Sequence, residues 1–311
     1  MAPLFAEHAD TEQLAYNLGA FKPGDEIEIT LKMHGTSQRT GYLPVFKGYK
    51  RTFKDWLLRR DGKPIYDWDY VSGTRRTVLD NYDGGYYGSN EFREQHSKTF
   101  EGKLWKGETV YYEVVGFTHT GAPIMAEGNN EKLGKDFVKQ YGKTTVFSYG
   151  CDPEGESFKH EYADCWDGVN VREFKPQSDI YVYRMTMTNE DGAVVEYTPD
   201  FMRYRCEQMG VKTVPVMWKG IIPAHTGDAA AIRLGQDAGA WIKEKAEQYY
   251  DGPDPIGKTH VREGVVVRIV NRPKFTAYKH KNHNFKMISG IIVNEIADSN
   301  VEISDEILAE L

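Results

Sequence analysis

Three lysines, two glutamates and a pair of tyrosines stand at the ends of segments that read as β-strands. Lys32 opens the run Lys32-Met33-His34-Gly35-Thr36-Ser37 just after the alternating segment 25–33. Glu113 lies in YYEVVGF, Tyr181 and Tyr183 in IYVYRM, and Glu263 opens EGVVVR. Lys279 and Lys281 sit two apart in YKHKNHNF. Strand side chains alternate, so the two tyrosines share a face, and so do the two lysines. Cations suit a triphosphate, an aromatic plate suits a base, and acids suit a ribose hydroxyl and a divalent metal. Singly, each has an ordinary explanation: a solvated glutamate, a core tyrosine, a protected sheet edge. It is the set that has the chemistry of a nucleotide site.

Other motifs fail on spacing. Gly142-Lys143-Thr144 invites a phosphate-loop reading, but the Gly needed five positions earlier is Phe137. Gly128 and Gly134 are one residue too far apart to serve with Lys135, and Asp136 replaces the required hydroxyl. No GxSxG nucleophile elbow occurs. Cys151, His160 and Cys165 match no common zinc spacing.

The formal net charge is −7, which by itself argues against a nucleic-acid partner. The average misleads, because six acids and no Lys or Arg fall within 291–311. Residues 44–63 are the reverse. Lys47, Lys50, Arg51, Lys54, Arg59, Arg60 and Lys63 face only Asp55 and Asp61, with Phe46, Tyr49, Phe53 and Trp56 interleaved. Cations for phosphates and rings for bases are what single-strand or duplex-end binding uses. The alternative is an amphipathic segment whose rings pack inward and whose cations are merely solvated.

These residues need a scaffold, and a chain of 311 residues can bury a core without staples. Three cysteines make no disulfide framework, which points to a reducing, cytoplasmic setting (a host cytoplasm, if the source is viral). No run has the ~20 apolar residues of a membrane span, and the N-terminus meets acids too early for a secretory signal. Strands are expected at 25–33, 108–117, 179–187, 192–197, 213–222, 264–271 and 275–281. A helix over 198–209 is marked by Thr198, Pro199 and Gly210, a longer one spans 228–250, and SDEILAEL closes the chain as a third. The class is α+β on antiparallel sheet, with 118–178 as an insertion between core strands and 291–311 as a short acidic tail.

The ordered set KMHGTS, SGTRR, YEVVG, YVYRM, EGVVVR and KHK resembles the covalent nucleotidyltransferase superfamily of RNA ligases, DNA ligases and mRNA capping enzymes. It is most similar to the phage-type ATP-dependent RNA ligases, over about residues 25–290. His34 stands where DNA ligases and capping enzymes usually carry Asp, which favours an RNA ligase. The resemblance implies an ATP-grasp-like ligase fold over 1–290, antiparallel sheets flanked by helices. The 30 residues after Lys281 are too few for a C-terminal OB-fold.

The implied activity joins RNA 3′-OH and 5′-phosphate ends with ATP and Mg²⁺ or Mn²⁺. AMP passes through Lys32 and then the RNA 5′ end. A DNA or mixed-substrate ligase, and a non-catalytic RNA-binding protein of the same fold, are the rival readings. The end structure sealed (nick, hairpin break or free strand) stays open, and the chain is taken as a monomer. By the resemblance, Lys32 is the nucleophile, Lys279 and Lys281 clamp the α-phosphate, and Glu263 helps hold the metal. Glu113 accepts from a ribose hydroxyl and Tyr183 stacks on adenine, with Tyr181 as the alternative. His34, Gly35 and Arg39 belong to the nucleotide loop. Arg75 and Arg76, with Lys50, Arg51 and Lys54, are assigned to RNA. A lysine of pKa ~10.4 is neutral at pH 7 only a few times in ~10⁴, so the apolar neighbours Leu31 and Met33 and a nearby cation are needed to activate Lys32.

Overall fold

Alternation along the strands decides which residues face the core and which face the site. The computed structural model of the chain describes residues 2–5, 8, 10–79, 91–118, 121–151, 178–224 and 237–292. Among them are two main sheets. The first has the order β1-β13-β12-β2-β11, formed by Glu12–Gln13, Thr276–Lys281, Gly264–Ile269, Glu26–Lys32 and Val216–Ile221. In β2, Ile27, Ile29 and Leu31 are buried on one face while Glu28, Thr30 and Lys32 point to the other. In β12, Val265, Val267 and Ile269 join the same core as Ile27 and Ile29. The helix Asp237–Glu247 closes that core with Ala238, Ile242 and Ala246. Each of the buried Val, Ile and Leu side chains contributes about 1.5–3 kcal/mol, so the register is strongly held.

The second sheet has the order β10-β8-β5-β3-β4: Lys212–Thr213, Ser178–Thr188, Glu108–Gly116, Thr36–Lys50 and Lys63–Gly73. A short β9, Val194–Glu196, pairs with β8. All pairings in both sheets are antiparallel except β1 with β13 and β10 with β8. Central β5 carries Val110, Tyr112 and Val114 into a core shared with the helix Pro199–Met209. That helix begins and ends as expected: the Thr198 side chain accepts from the Phe201 amide, and Gly210 is left-handed.

Several expectations are corrected. The stretch 213–222 is two strands in different sheets, β10 and β11, because the chain leaves one sheet for the other around Val214 and Pro215. The long pair β3–β4 was not anticipated; Gly41, Pro44 and Gly48 interrupt its pattern. Pro44 is tolerated because β3 pairs with β5 only as far as Gly41 and then has β4 alone. The described part of 118–178 includes a helix at Lys135–Tyr141 and the small pair β6 (Gly128–Asn129) and β7 (Thr144–Thr145). Its Phe147 and Tyr149 pack with Phe285 and Ile288 of the helix His283–Ile288. The described stretch 121–151 thus contributes side chains to the core. Of the 228–250 helix, the part before 237 lies outside the described residues, as do the tail from 293 onward, His160 and Cys165. No described helix is long and apolar enough to cross a membrane.

Candidate active site

A cavity of about 520 Å³ is lined by residues of both sheets, within the usual range for small-molecule sites. One row across three neighbouring strands brings two lysines together, and of that row only Lys32 lines the cavity. Lys32 of β2 is paired with Gly264 of β12, which is paired with Lys281 of β13. Glu263, immediately before Gly264, lies under both lysines. Its Oε1 is 2.6 Å from Lys32 Nζ and 3.6 Å from Lys281 Nζ. Glu263 is wholly buried, Lys281 almost so, and Lys32 keeps 17% of its side chain exposed, toward the cavity.

Two glycines allow this approach. Gly264 has φ +148°, and a Cβ there would come 2.1 Å from the His280 carbonyl. Gly35, three residues after Lys32, leaves no room either: its Cβ would meet the Val114 carbonyl at 2.4 Å and Glu113 Cγ at 2.9 Å. The turn from β2 to β3 thus lies directly on β5, which brings Glu113 into the cavity wall beside the lysine loop.

His34 is held from several sides. Its ring meets Phe147 and Phe285 edge-on at centroid distances of 4.5 and 4.7 Å, and its backbone N–H donates to the Tyr149 hydroxyl at 2.5 Å. His34 Nδ1 is 3.5 Å from Glu263 Oε2, too long for a good hydrogen bond. Burial pushes the Glu263 carboxyl up, but the Lys32 charge, the adjacent His34 and the Lys281 charge outweigh it and hold it at about 2. Burial drives the Tyr149 phenol well above its ordinary value, so it stays a neutral hydroxyl.

On the opposite wall, Tyr183 rather than Tyr181 lines the cavity, and its hydroxyl lies 2.9 Å from Ser37 Oγ. Tyr181 packs into the core beside Val214 and Phe285. Tyr183 is itself the extra residue of a bulge in β8, since Tyr111 and Tyr112 of β5 pair with Arg184 and Val182 on either side of it. Arg75 and Arg76 line the far end. Asp10 ties that end together, 3.3 Å from Arg75 and 3.2 Å from Lys279. Lys279 sits two residues along from Lys281, opposite Val266 and on the strand face of Ala277, and does not itself line the cavity.

Some expected residues lie elsewhere. Arg39 is buried, with its guanidinium 4.2 Å from the Phe5 ring centroid and bonded to the Thr74 carbonyl. It is on the same strand face as Ser37, but packing on Phe5 and the Thr74 carbonyl keeps it out of the cavity lining, where it supports the loop that carries Arg75. Lys50, Arg51 and Lys54 are on the distal end of the β3–β4 pair, away from the cavity wall. Conversely, Asp10, Arg93, Tyr149 and Arg268 are site residues that sequence reasoning missed. Arg93 bonds Thr36 Oγ1 at 2.6 Å, and Arg268, over the Phe275 ring, donates to the Tyr197 carbonyl at 2.9 Å. Arg268 had a signal, as the last residue of EGVVVR; Asp10 and Tyr149 stand in segments with no motif or period.

No group of three or more His, Cys, Asp or Glu side chains forms a metal cage among the described residues. A single carboxylate nonetheless fits Mg²⁺ or Mn²⁺, which keep several waters and take further oxygens from substrate phosphates. Glu263 Oε2 is the donor that fits: it is buried and accepts no hydrogen bond among the described residues.

No protein-family model matches the sequence, and no curated protein matches it. Among solved structures, the chain is similar to RNA ligases from Naegleria gruberi. With a mutant holding AMP and Mn the TM-score is 0.48 at 12% identity, over 92% of this chain and 58% of that one. With the same ligase holding PPi it is 0.46 at 13% identity, over the same shares. The chain thus spans under three fifths of the length of those ligases.

Proposed function

We propose that this chain is an ATP-dependent RNA ligase that carries AMP on Lys32. The observation that supports it is an accessible lysine of the cavity lining that faces a buried carboxylate, with a second, buried lysine in the same strand row. Two ammonium groups face one carboxylate oxygen. Loss of the Lys32 proton to water on its exposed side therefore leaves a neutral amine and a balanced Glu263–Lys281 pair. That amine attacks the α-phosphorus of ATP; the P–N bond forms, the bond to the bridging oxygen breaks, and pyrophosphate leaves with the electron pair. Lys281, and Lys279 beside it, offset negative charge that builds on the phosphate oxygens.

Glu263 would hold a divalent cation, which when bound supplies Lewis-acid stabilisation of the α-phosphate. Tyr183 offers a ring for adenine and Glu113 an acceptor for a ribose hydroxyl. In the second step an RNA 5′-phosphate oxygen displaces Lys32 from AMP. In the third a 3′-hydroxyl attacks that phosphate and releases AMP. Arg75 and Arg76 suit the incoming phosphate.

Incubation with α-labelled ATP and Mg²⁺ tests the first step. We expect label that survives denaturation and is absent from Lys32→Ala; an unlabelled native protein, or a labelled Lys32→Ala, would overturn the proposal. Excess chelator should abolish labelling.

A further inference from the structure

Beyond Gly41, β3 pairs with no strand but β4 among the described residues, and the two continue as a ribbon from Tyr42 to Lys50, about 30 Å at ~3.3 Å per residue. Aromatics pair across it: Tyr42 with Tyr70, stacked at 4.7 Å, and Phe46 with Tyr66 at 5.9 Å. A short helix, Phe53–Leu57, caps its tip. Thr52 and Asp55 form a reciprocal capping box there, so the tip is an ordered turn.

The rings at this end do not pack inward. Phe53 is 76% exposed, Trp56 66%, Tyr49 50% and Tyr66 47%. Around them, 44–63 carries seven cations against two acids, in a protein whose net charge is −7. Asp55 is occupied by the cap and Asp61 by Arg51. Lys50, Lys54, Arg59, Arg60 and Lys63 make no ion pair among the described residues.

We infer that the tip of the β3–β4 ribbon binds single-stranded nucleic acid, with bases stacked on Tyr49, Phe53 and Trp56 and phosphates met by the five unpaired cations. A protein interface core is depleted of charge, whereas here a cation stands within two residues of each of these three rings. A five-residue helix is too short to lie in a membrane surface as an amphipathic segment. An exposed ring needs an unstacked base, so a single strand fits better than a duplex. The inference rests on the ligase reading only for the identity of the strand, an RNA flanking the end to be sealed.

The test is fluorescence anisotropy with a labelled 12-nucleotide uridine RNA and a blunt RNA duplex of equal length, without ATP. The native protein should prefer the single strand. Phe53→Ala/Trp56→Ala should weaken single-strand binding about 10-fold or more without changing its salt dependence. Lys50→Gln/Lys54→Gln should reduce the log–log salt slope by roughly 0.7 for each phosphate no longer neutralised. Thermal melting checks that the variants, all at exposed positions, remain folded. Unchanged affinity in the ring variant overturns the inference. So does native binding to phosphatidylserine vesicles but to neither RNA, or equal binding of strand and duplex. ATP labelling of the native protein, read in parallel, separates the two proposals. Absent labelling with ring-dependent RNA binding overturns the ligase and keeps the tip; labelling with ring-independent binding does the reverse.

Discussion

Lys32 Nζ lies 2.6 Å from Glu263 Oε1 although the two residues are 231 positions apart. The pairing of β2 with β12 brings them together, and Gly264 permits the approach. Lys281, 3.6 Å from the same carboxylate oxygen, is the second cation of this cluster.

Removing a partner should be costly. Glu263→Ala and Lys281→Ala are each expected to lower the rate of ATP labelling at least ~100-fold, the scale of losing one preorganised charge-stabilising group. Single-turnover labelling at saturating ATP checks this, and a near-native rate in either variant would remove that residue from the site.

Gly264→Ala places a methyl group 2.1 Å from the His280 carbonyl at a φ of +148°. The expected loss is about 2 kcal/mol or more of stability. Denaturant unfolding measures it, and a variant as stable as the native chain would show that the strand pair can spread without cost.

Tyr149→Phe keeps the ring and deletes the acceptor of the His34 amide. A buried N–H left without its partner costs about 1–3 kcal/mol. Labelling should slow as well, because His34 abuts Glu263; a variant unaltered in both stability and labelling would separate the 121–151 segment from the site.

The Glu263 carboxyl is lowered from 4.5 to about 2 in the folded chain. The sign follows: below about 4.5 the unfolded chain takes up the proton first. The stabilisation is complete above that pH and fades as pH falls toward 2. Urea unfolding at pH 6.5, 4.5 and 3 should show the native chain losing its advantage over Glu263→Gln as the solution is acidified. A constant gap between the two across that range would contradict the assignment.

Local chemistry made much of this legible. The alternation of Ile27, Ile29 and Leu31 against Glu28, Thr30 and Lys32 specifies a strand with one wet face, and Thr198, Pro199 and Gly210 mark a helix end to end. Strands whose two faces differ in polarity have only one register that buries the apolar face. The order of Lys32, Glu113, Glu263, Lys279 and Lys281 along the chain grouped them as one candidate set, of which Lys32, Glu113 and Glu263 line the cavity.

What only the tertiary structure decided are relations between segments with no local pattern. Tyr149 reaches His34 from a Gly- and Lys-rich stretch without periodicity, and Asp10 bridges Lys279 and Arg75 from outside any motif. Arg39 could equally have faced a phosphate; packing against Phe5 and the Thr74 carbonyl turned it inward. The ribbon tip shows the same division. Its composition of cations and rings is written in residues 44–63, but composition does not say which way a ring points. That depended on whether a neighbouring surface covered them, and among the described residues the sheet beyond Gly41 ends at β4, with Phe53 and Trp56 exposed.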